Sequence, residues 1–189
     1  MNKSYCVAAA AACLLGLGLR AEAQDAPVVE PTAEHKRLAE DVGVWDAEVK
    51  LWAQGPGAEP TVSKGVEEIS VMPGGLWQLG KFEGKIGDKE FVGRSVTGYD
   101  VHKKRYVGVW VDSTDPHMML TEGEYDEATH TETATAKGTD PASGKPYDLK
   151  MTTLHKGKDA RVFTMNMKIA EAGDEFFKLM EISYTRRAK

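Results

Sequence analysis

Residues that could bind a ligand alternate along the run from Arg105 to Ser113. Tyr106, Trp110 and Asp112 fall on one side of an extended chain with Gly108, and three valines fall on the other side. Two aromatic rings, a small residue and a carboxylate could line the lumen of a barrel that holds one amphipathic molecule. The same residues could equally be ordinary barrel packing that ends in a solvated carboxylate, because aromatic side chains mostly serve burial.

Arg94 and Glu122 are further candidates for such a lining. Arg94 lies between Val92 and Val96 on one face of an alternating run, so it either enters the lumen or extends to solvent. Inside a lumen its charge would need a carboxylate or a bound anion, and Asp112 and Glu122 are the nearest carboxylates in strand order. The predicted lumen candidates are therefore Arg94, Tyr106, Trp110, Asp112 and Glu122, and an anionic ligand is one possibility.

No motif in the chain specifies a catalytic or metal centre. Gly-x-Ser-x-Gly and His-Glu-x-x-His are both missing, and residues 138–146 have the wrong glycine spacing for a phosphate loop. The acidic hairpin from Asp112 to Glu124 matches no metal-ligand spacing, and His155 on a late strand is interpreted as a polar surface residue rather than a haem ligand. We expect no metal and no cofactor. An enzyme that uses Arg94, Asp112 and Glu122 for acid–base chemistry remains a third hypothesis.

The first 23 residues have the pattern of a secretory signal peptide. Lys3 precedes an apolar segment from Val7 to Leu19, and residues 21–23 (Ala-Glu-Ala) fit the small-x-small cleavage rule. That segment is too short to span a bilayer. We therefore predict a signal peptide over 1–23, a flexible leader over 24–32 and one domain over 33–189, in an exported protein that is periplasmic or extracellular.

Composition excludes several classes of function for the mature chain. Both cysteines, Cys6 and Cys13, lie in the predicted signal, which leaves no thiol for disulfides, catalysis or metal binding. Residues 24–189 carry 22 basic and 28 acidic side chains, a net charge of −6 that opposes binding to nucleic acid or to anionic membranes. No second apolar run approaches the length of a membrane span.

The pattern of the remaining chain predicts a short helix followed almost entirely by strands. The helix covers Ala33–Val42, with Thr32 as its cap and Gly43 at its end. Ten alternating runs separated by glycine-rich turns follow it. These runs are Val44–Trp52, Thr61–Val71, Leu76–Ile86, Phe91–Tyr99, Arg105–Ser113, Met118–Tyr125, Thr131–Lys137, Tyr147–Lys156, Arg161–Ala170 and Phe176–Arg186. Their regular spacing predicts an all-β, antiparallel up-and-down barrel, with a two-sheet sandwich as the alternative.

Several short motifs resemble known proteins. Gly43-Val44-Trp45 at the first strand, with Arg186 in the last, resembles the start and end of lipocalins and related calycin barrels, in which an Arg packs over a Trp that closes one end. The middle motifs resemble the bacterial family called domain of unknown function 1579, whose members are often exported and lipocalin-like. These motifs are Gly98-Tyr99-Asp100, Tyr106-Val107, residues 110–113 (Trp-Val-Asp-Ser), residues 122–129 and residues 140–145. The resemblance implies a lipocalin-like barrel with Trp45 and Arg186 as structural closure, and it implies no particular activity.

Two functional hypotheses follow from these patterns. The first is a binding module for a small hydrophobic or amphipathic ligand held in the lumen. The second is an interaction protein without a ligand, for example a homodimer, because some strands carry apolar residues on both faces. In the second run Val62 and Val66 lie on one face, and Ile69 and Val71 lie on the other.

Overall fold

The structure is a computed structural model that describes residues 29–140, 143–169 and 173–188. It contains a short helix, α1, over Ala33–Leu38, which continues as a 3₁₀ turn over Ala39–Asp41. Ten strands follow: β1 Gly43–Leu51, β2 Thr61–Val71, β3 Trp77–Ile86, β4 Lys89–Asp100, β5 Arg105–Asp112, β6 Met119–Asp126, β7 Thr131–Thr139, β8 Pro146–His155, β9 Ala160–Ile169 and β10 Phe177–Arg186. The predicted signal peptide and the leader up to residue 28 lie outside the described residues.

The strands form a closed antiparallel barrel in simple up-and-down order. Each strand pairs with the next in sequence, and β1 pairs with β10 to close the ring. At the closure Trp45 lies opposite Arg186 and Ala47 lies opposite Tyr184. The predicted all-β barrel is confirmed, and the sandwich alternative is wrong, because pairing of the first and last strands leaves no open sheet edge.

Alternation along each strand divides the side chains between the lumen and the outside. In β1, Trp45 and Ala47 are buried while Asp46 and Glu48 are exposed. In β2 the same rule places Ile69 inside and leaves Val62 58% exposed. The apolar residues on both faces of β2 are therefore divided between the core and the solvent.

Glycines on the inner face make room for large rings on neighbouring strands. Gly93 on β4 lies beneath Trp110, and a Cβ atom at this position would stand 2.2 Å from the indole ring. Gly65 on β2 is covered in the same way by Phe82. These rings lie flat against the wall because the neighbouring strand presents no side chain there.

Helix α1 covers one end of the barrel. At its start the Thr32 backbone N–H donates to His35 Nδ1 at 3.1 Å, and His35 and Leu38 turn their side chains into the protein. The Gln78 side-chain amide donates to the Leu38 carbonyl at 2.7 Å and ties the helix to β3. The helix ends at Leu38, before the predicted Val42, because the chain tightens into the 3₁₀ turn. Among the described helices none has the length and apolar character of a membrane span.

Candidate functional site

The barrel encloses a cavity of about 500 Å³ that runs from α1 to the hairpins at the opposite end. Its volume falls within the range of small-molecule binding sites. The wall is mainly aromatic, methionine and aliphatic. Its principal apolar members are Phe82, Phe91, Trp110, Met119, Leu149, Met151, Phe163, Met165, Met167, Met180 and Ile182. We call the end beneath α1 the floor and the opposite end the mouth.

The predicted aromatic face of β5 does point into the barrel. Trp110 lines the cavity and stacks on Phe91, with ring centroids 6.4 Å apart and an interplanar angle of 23°. Its indole N–H donates to Asp112 Oδ2 at 2.9 Å. Gly93 provides the space that Trp110 occupies. The valines of β5 form the outer face, as the alternation requires.

Asp112 lies at the mouth, where local hydrogen bonds occupy its carboxylate. Oδ1 accepts from the Thr114 backbone N–H at 2.8 Å and from the Thr114 hydroxyl at 2.7 Å. Burial alone would raise the pKa of Asp112, but the hydrogen bonds from Thr114, Trp110 and Asp115 outweigh it and lower the pKa. Asp112 therefore stabilises the β5–β6 loop as an ionised carboxylate.

Tyr106 lies at the other end of the same strand, beneath α1. It is 5% exposed, and its hydroxyl accepts a hydrogen bond from Arg37 Nε at 3.0 Å. The Arg37 guanidinium also lies over the Tyr106 and Tyr125 rings, 4.7 and 4.0 Å from their centroids. Tyr106 thus holds the helix in place, and it does not line the cavity wall.

Arg94 and Glu122 lie outside the lumen, which corrects the expectation that they line it. Arg94 is exposed, pairs with the outward Val111 on β5, and donates from Nη1 to the Gly93 carbonyl. Glu122 keeps 56% of its side-chain surface exposed and pairs with Lys103. Both charges stay in water because the strand alternation gives the inner positions to their neighbours. The structure separates Arg94 and Glu122 from the inward Asp112, so the three cannot form one acid–base site.

A buried ion-pair network forms the floor. Arg161 on β9 is 6% exposed and donates from Nη1 to Asp41 at 2.7 Å and from Nη2 to Glu67 at 2.6 Å. Burial raises the pKa of Glu67, although the Arg161 charge opposes this change. Burial, together with the Glu67 charge, also raises the pKa of Tyr184. The network connects the 3₁₀ turn to β2 and β9 across the width of the barrel.

Glu132 on β7 is the other carboxylate of the floor. Its Oε2 lies 3.8 Å from Arg37 Nη2, longer than a hydrogen bond, and burial raises its pKa. His155 on β8 lies close by, with Nδ1 at 3.7 Å from Asp41. Burial lowers the pKa of His155 and favours the neutral imidazole. The interpretation of His155 as a surface residue is wrong, because its side chain turns inward and is 15% exposed.

Two polar atoms of the floor are buried without a hydrogen-bond partner in the described part of the chain. They are Nε2 of His155 and Nε of Arg161. The Arg161 guanidinium lies over the Trp45 and Tyr184 rings, with Cζ 4.4 and 4.6 Å from their centroids. Such unsatisfied groups are rare in native proteins, and here they coincide with the polar end of the cavity.

Trp45 lies directly behind the floor and is 1% exposed. Its indole N–H donates to the Asp41 carbonyl at 2.9 Å. Arg161 covers it from the lumen side, and the Arg186 guanidinium lies 4.0 Å from its centroid. The structure thus places Trp45 and Arg186 at the closed end of the barrel.

Sequence reasoning missed the whole floor network, although a signal for it exists. On β9 a single charged residue, Arg161, starts an inner face that continues with Phe163 and Met165. Glu132 likewise precedes the two inward alanines of β7, and Glu67 precedes Ile69 on β2. A single charge on the inner face, at the start of an otherwise apolar face on β7 and β9 and beside Ile69 on β2, indicates a polar floor.

The arrangement suits noncovalent binding. The charged groups of the floor mostly bind one another, and the surface that faces the cavity is largely carbon. In residues 29–140, 143–169 and 173–188 no three His, Cys, Asp or Glu side chains are placed to hold a metal ion. What the lumen offers is an apolar chamber with hydroxyl groups and three carboxylates at its polar end, of which Asp41 and Glu67 are bound by Arg161 and Glu132 is not.

Comparison with known proteins identifies the family and no activity. No curated protein matches this chain. Among solved structures, a protein of unknown function from the DUF3598 family of Nostoc punctiforme is similar at 7% identity with a TM-score of 0.27. That alignment covers 83% of this chain and 100% of the other. The sequence model of one family matches residues 30–186, and the chain therefore belongs to the family described as protein of unknown function DUF1579.

Proposed function

We propose that this protein is an exported, lipocalin-like binding module that carries or senses a small, mainly apolar molecule in its lumen. The observation that supports this proposal is the cavity of about 500 Å³ whose wall is aromatic and methionine-rich. A core without a ligand would be filled with side chains to near-crystalline density. The inner glycines Gly80 and Gly108 add no side chain to the lumen, and small hydroxyl side chains, Ser95 and Thr121, lie over them.

The character of the wall supports an apolar ligand without strict shape selectivity. Met165, Met167 and Met180 lie side by side on β9 and β10, where methionine side chains can adapt to different shapes. Phe91 and Trp110 provide flat ring surfaces near the mouth. A small molecule that buries its apolar part against these groups gains about 25 cal/mol for each Å² removed from water.

Native mass spectrometry of the protein recovered without denaturation is the first test. An additional small mass that is lost on denaturation supports the binding module and gives the size of the ligand. A protein without added mass that forms a stable dimer supports the alternative of a ligand-free interaction protein. The exposed Val62 and Leu120 on the outer face would then belong to the contact between subunits.

A matched pair of variants locates the binding inside the lumen. Ala134 on β7 lines the cavity, and Thr135 beside it is exposed on the outer face. We expect Ala134→Trp to fill the lumen and weaken binding of the neutral fluorescent probe N-phenyl-1-naphthylamine at least tenfold. Thr135→Trp should leave the dissociation constant unchanged. Equal probe binding by both variants, or no saturable binding by the unmodified protein, would refute the proposal.

A further inference from the structure

The floor of the lumen contains one more carboxylate than guanidinium. Its charged groups among the described residues are three carboxylates and two guanidiniums: Asp41, Glu67, Glu132, Arg37 and Arg161. His155 does not restore the balance, because burial favours its neutral form. A buried charge without a partner is costly, so either a carboxyl group is protonated or a cation enters the lumen.

Glu132 is the carboxylate of the floor with the weakest contacts, because its ion pair with Arg37 spans 3.8 Å and is longer than a hydrogen bond. Arg161 binds both Asp41 and Glu67 at hydrogen-bond distance. The nearest cation to Glu132 is Arg37 at 3.8 Å, and no side chain in the described part of the protein donates a hydrogen bond to it. Glu132 keeps 25% of its side-chain surface accessible and lines the cavity. Its carboxylate is thus the acceptor that the floor offers to an occupant.

Arg37 is held by other contacts. Its Nε donates to Tyr106, and its guanidinium plane lies against the rings of Tyr106 and Tyr125. These contacts fix Arg37 under α1, outside the set of residues that line the cavity. A donor that approached Glu132 from the lumen would therefore meet the carboxylate without displacing Arg37.

Other polar groups that line the lumen can also accept hydrogen bonds from a donor. Hydroxyl groups on the three strands β4, β6 and β8 face the cavity, and each has oxygen lone pairs that can accept a hydrogen bond. These residues are Ser95, Thr97, Thr121 and Thr153. The Arg161 guanidinium, more than nine-tenths buried, is stacked on aromatic rings and has both Nη groups engaged by carboxylates, which leaves only its buried Nε without a partner. With Arg94 outside the barrel and two carboxylates engaging Arg161, the charge balance of the floor favours a cationic ligand over an anionic one.

We infer that the lumen ligand is a cationic amphiphile, an amine on an apolar body, whose ammonium group binds Glu132 while its apolar part lies against the aromatic and methionine wall. The inference rests on the proposed function, because it specifies the end group of the lumen ligand. The hydroxyl groups of the wall accept the ammonium N–H groups that do not reach Glu132.

The test uses three compounds that share a decyl chain and differ in the end group: decylamine, decanol and decanoate. Displacement of N-phenyl-1-naphthylamine at pH 7 gives the three dissociation constants. We expect decylammonium to bind at least tenfold more tightly than decanol, and decanoate to bind most weakly. Glu132→Gln should remove the advantage of the amine and leave decanol binding unchanged. The control is Glu122→Gln, which changes a carboxylate on the outer face.

The outcomes separate this inference from the proposed function. Binding of all three compounds with equal affinity, or tightest binding of decanoate, would overturn the cationic ligand and leave the lumen as a binding site. Both proposals would fail if none of the three compounds displaced the probe from the unmodified protein and if Ala134→Trp also left the dissociation constant of the probe unchanged.

A pH profile tests the same point without any substitution, should Glu132→Gln fail to fold. The groups that face Glu132 are Arg37 on α1, Asp41 in the 3₁₀ turn, Tyr125 on β6, His155 on β8 and Arg161 on β9. Because burial raises the pKa of Glu132, decylammonium should bind more tightly as the pH rises from 5 to 8, and decanol should not. Parallel profiles for the amine and the alcohol would contradict the inference.

Discussion

The Arg186 guanidinium lies over the ring of Trp45, with its Cζ 4.0 Å from the ring centroid, and so joins the last strand to the first. It also donates to three carbonyls. Nε binds Lys158, Nη1 binds Val42 and Nη2 binds Glu40, at 2.8, 2.6 and 2.8 Å. One side chain therefore satisfies backbone acceptors on both sides of the closure while it covers the most buried ring of the core.

Arg186→Lys should destabilise the barrel although it keeps the positive charge. A lysine cannot reproduce the fork that reaches three carbonyls, and hydrogen bonds to charged groups contribute about 1.5–3 kcal/mol each. We expect the free energy of unfolding in urea to fall by about 2–4 kcal/mol, using the same range. Arg187→Lys is the control, because Arg187 pairs with the exposed Asp46 on the outer face and should change stability by less than about 1 kcal/mol. Equal effects at the two positions would contradict this interpretation.

Arg161→Met should be strongly destabilising because it leaves Asp41 and Glu67 buried without their cation. Loss of one partner from a buried ion pair costs about 3–5 kcal/mol. The penalty should shrink as the pH is lowered, because burial raises the pKa of Glu67 and its protonation removes one of the uncompensated charges. Urea unfolding at several pH values measures both effects.

The triple variant Asp41→Asn, Glu67→Gln, Arg161→Met provides the matched control for that prediction. It removes all three charges together, so we expect it to recover at least half of the lost stability. If the triple variant were less stable than Arg161→Met at neutral pH, the loss would not come from uncompensated charge.

Gly93→Ala should displace Trp110 from its place on the wall. The added Cβ would stand 2.2 Å from the indole ring, a contact that requires the ring to move. Overpacking of this kind costs about 1–3 kcal/mol. Fluorine NMR of protein labelled with 5-fluorotryptophan should show a shift of the Trp110 resonance. Arg94→Ala, next in the chain but on the outer face, should leave that resonance in place; an unchanged Trp110 signal in Gly93→Ala would refute the packing argument.

The buried His155 should make the protein less stable in mild acid. Its pKa is lowered in the folded state, so unfolding takes up a proton between that lowered pKa and the value of about 6.5 for an unfolded histidine. The stability that the neutral His155 provides is complete above that pH and is lost as the pH falls through the folded pKa.

Comparison with His155→Gln isolates this contribution. As the pH falls from 7.5 to 5, the unfolding free energy of the unmodified protein should decrease relative to that of His155→Gln. The change amounts to about 1.4 kcal/mol for each pH unit by which the pKa is lowered. A difference that stays constant over this range would contradict the prediction.

Glu67 and Glu132 act with the opposite sign, since their raised pKa values make the fold less stable as the pH rises above about 4.3.

Local patterns in the sequence were sufficient to predict the strands and the helix. The alternation in Gly43–Leu51 and the glycine turns between strands depend on neighbours within a few residues, so a single sequence reveals them. The alternation separated the β5 residues Trp110 and Asp112 from the valines on the opposite face, but it left open which of the two faces lines the lumen. Arg94 could not be assigned either, because an arginine between valines is compatible with either side of a strand.

By itself the sequence determined that this chain forms ten antiparallel strands after a short helix, because the period of two and the turn residues are local properties. Only the tertiary structure decided which face is the lumen and what its floor contains. Asp41, Glu67, Glu132, His155 and Arg161 come from five separate elements, and no local spacing relates them. They meet because pairing of β1 with β10 closes the sheet on itself, and closure of this kind depends on contacts between the two ends of the domain.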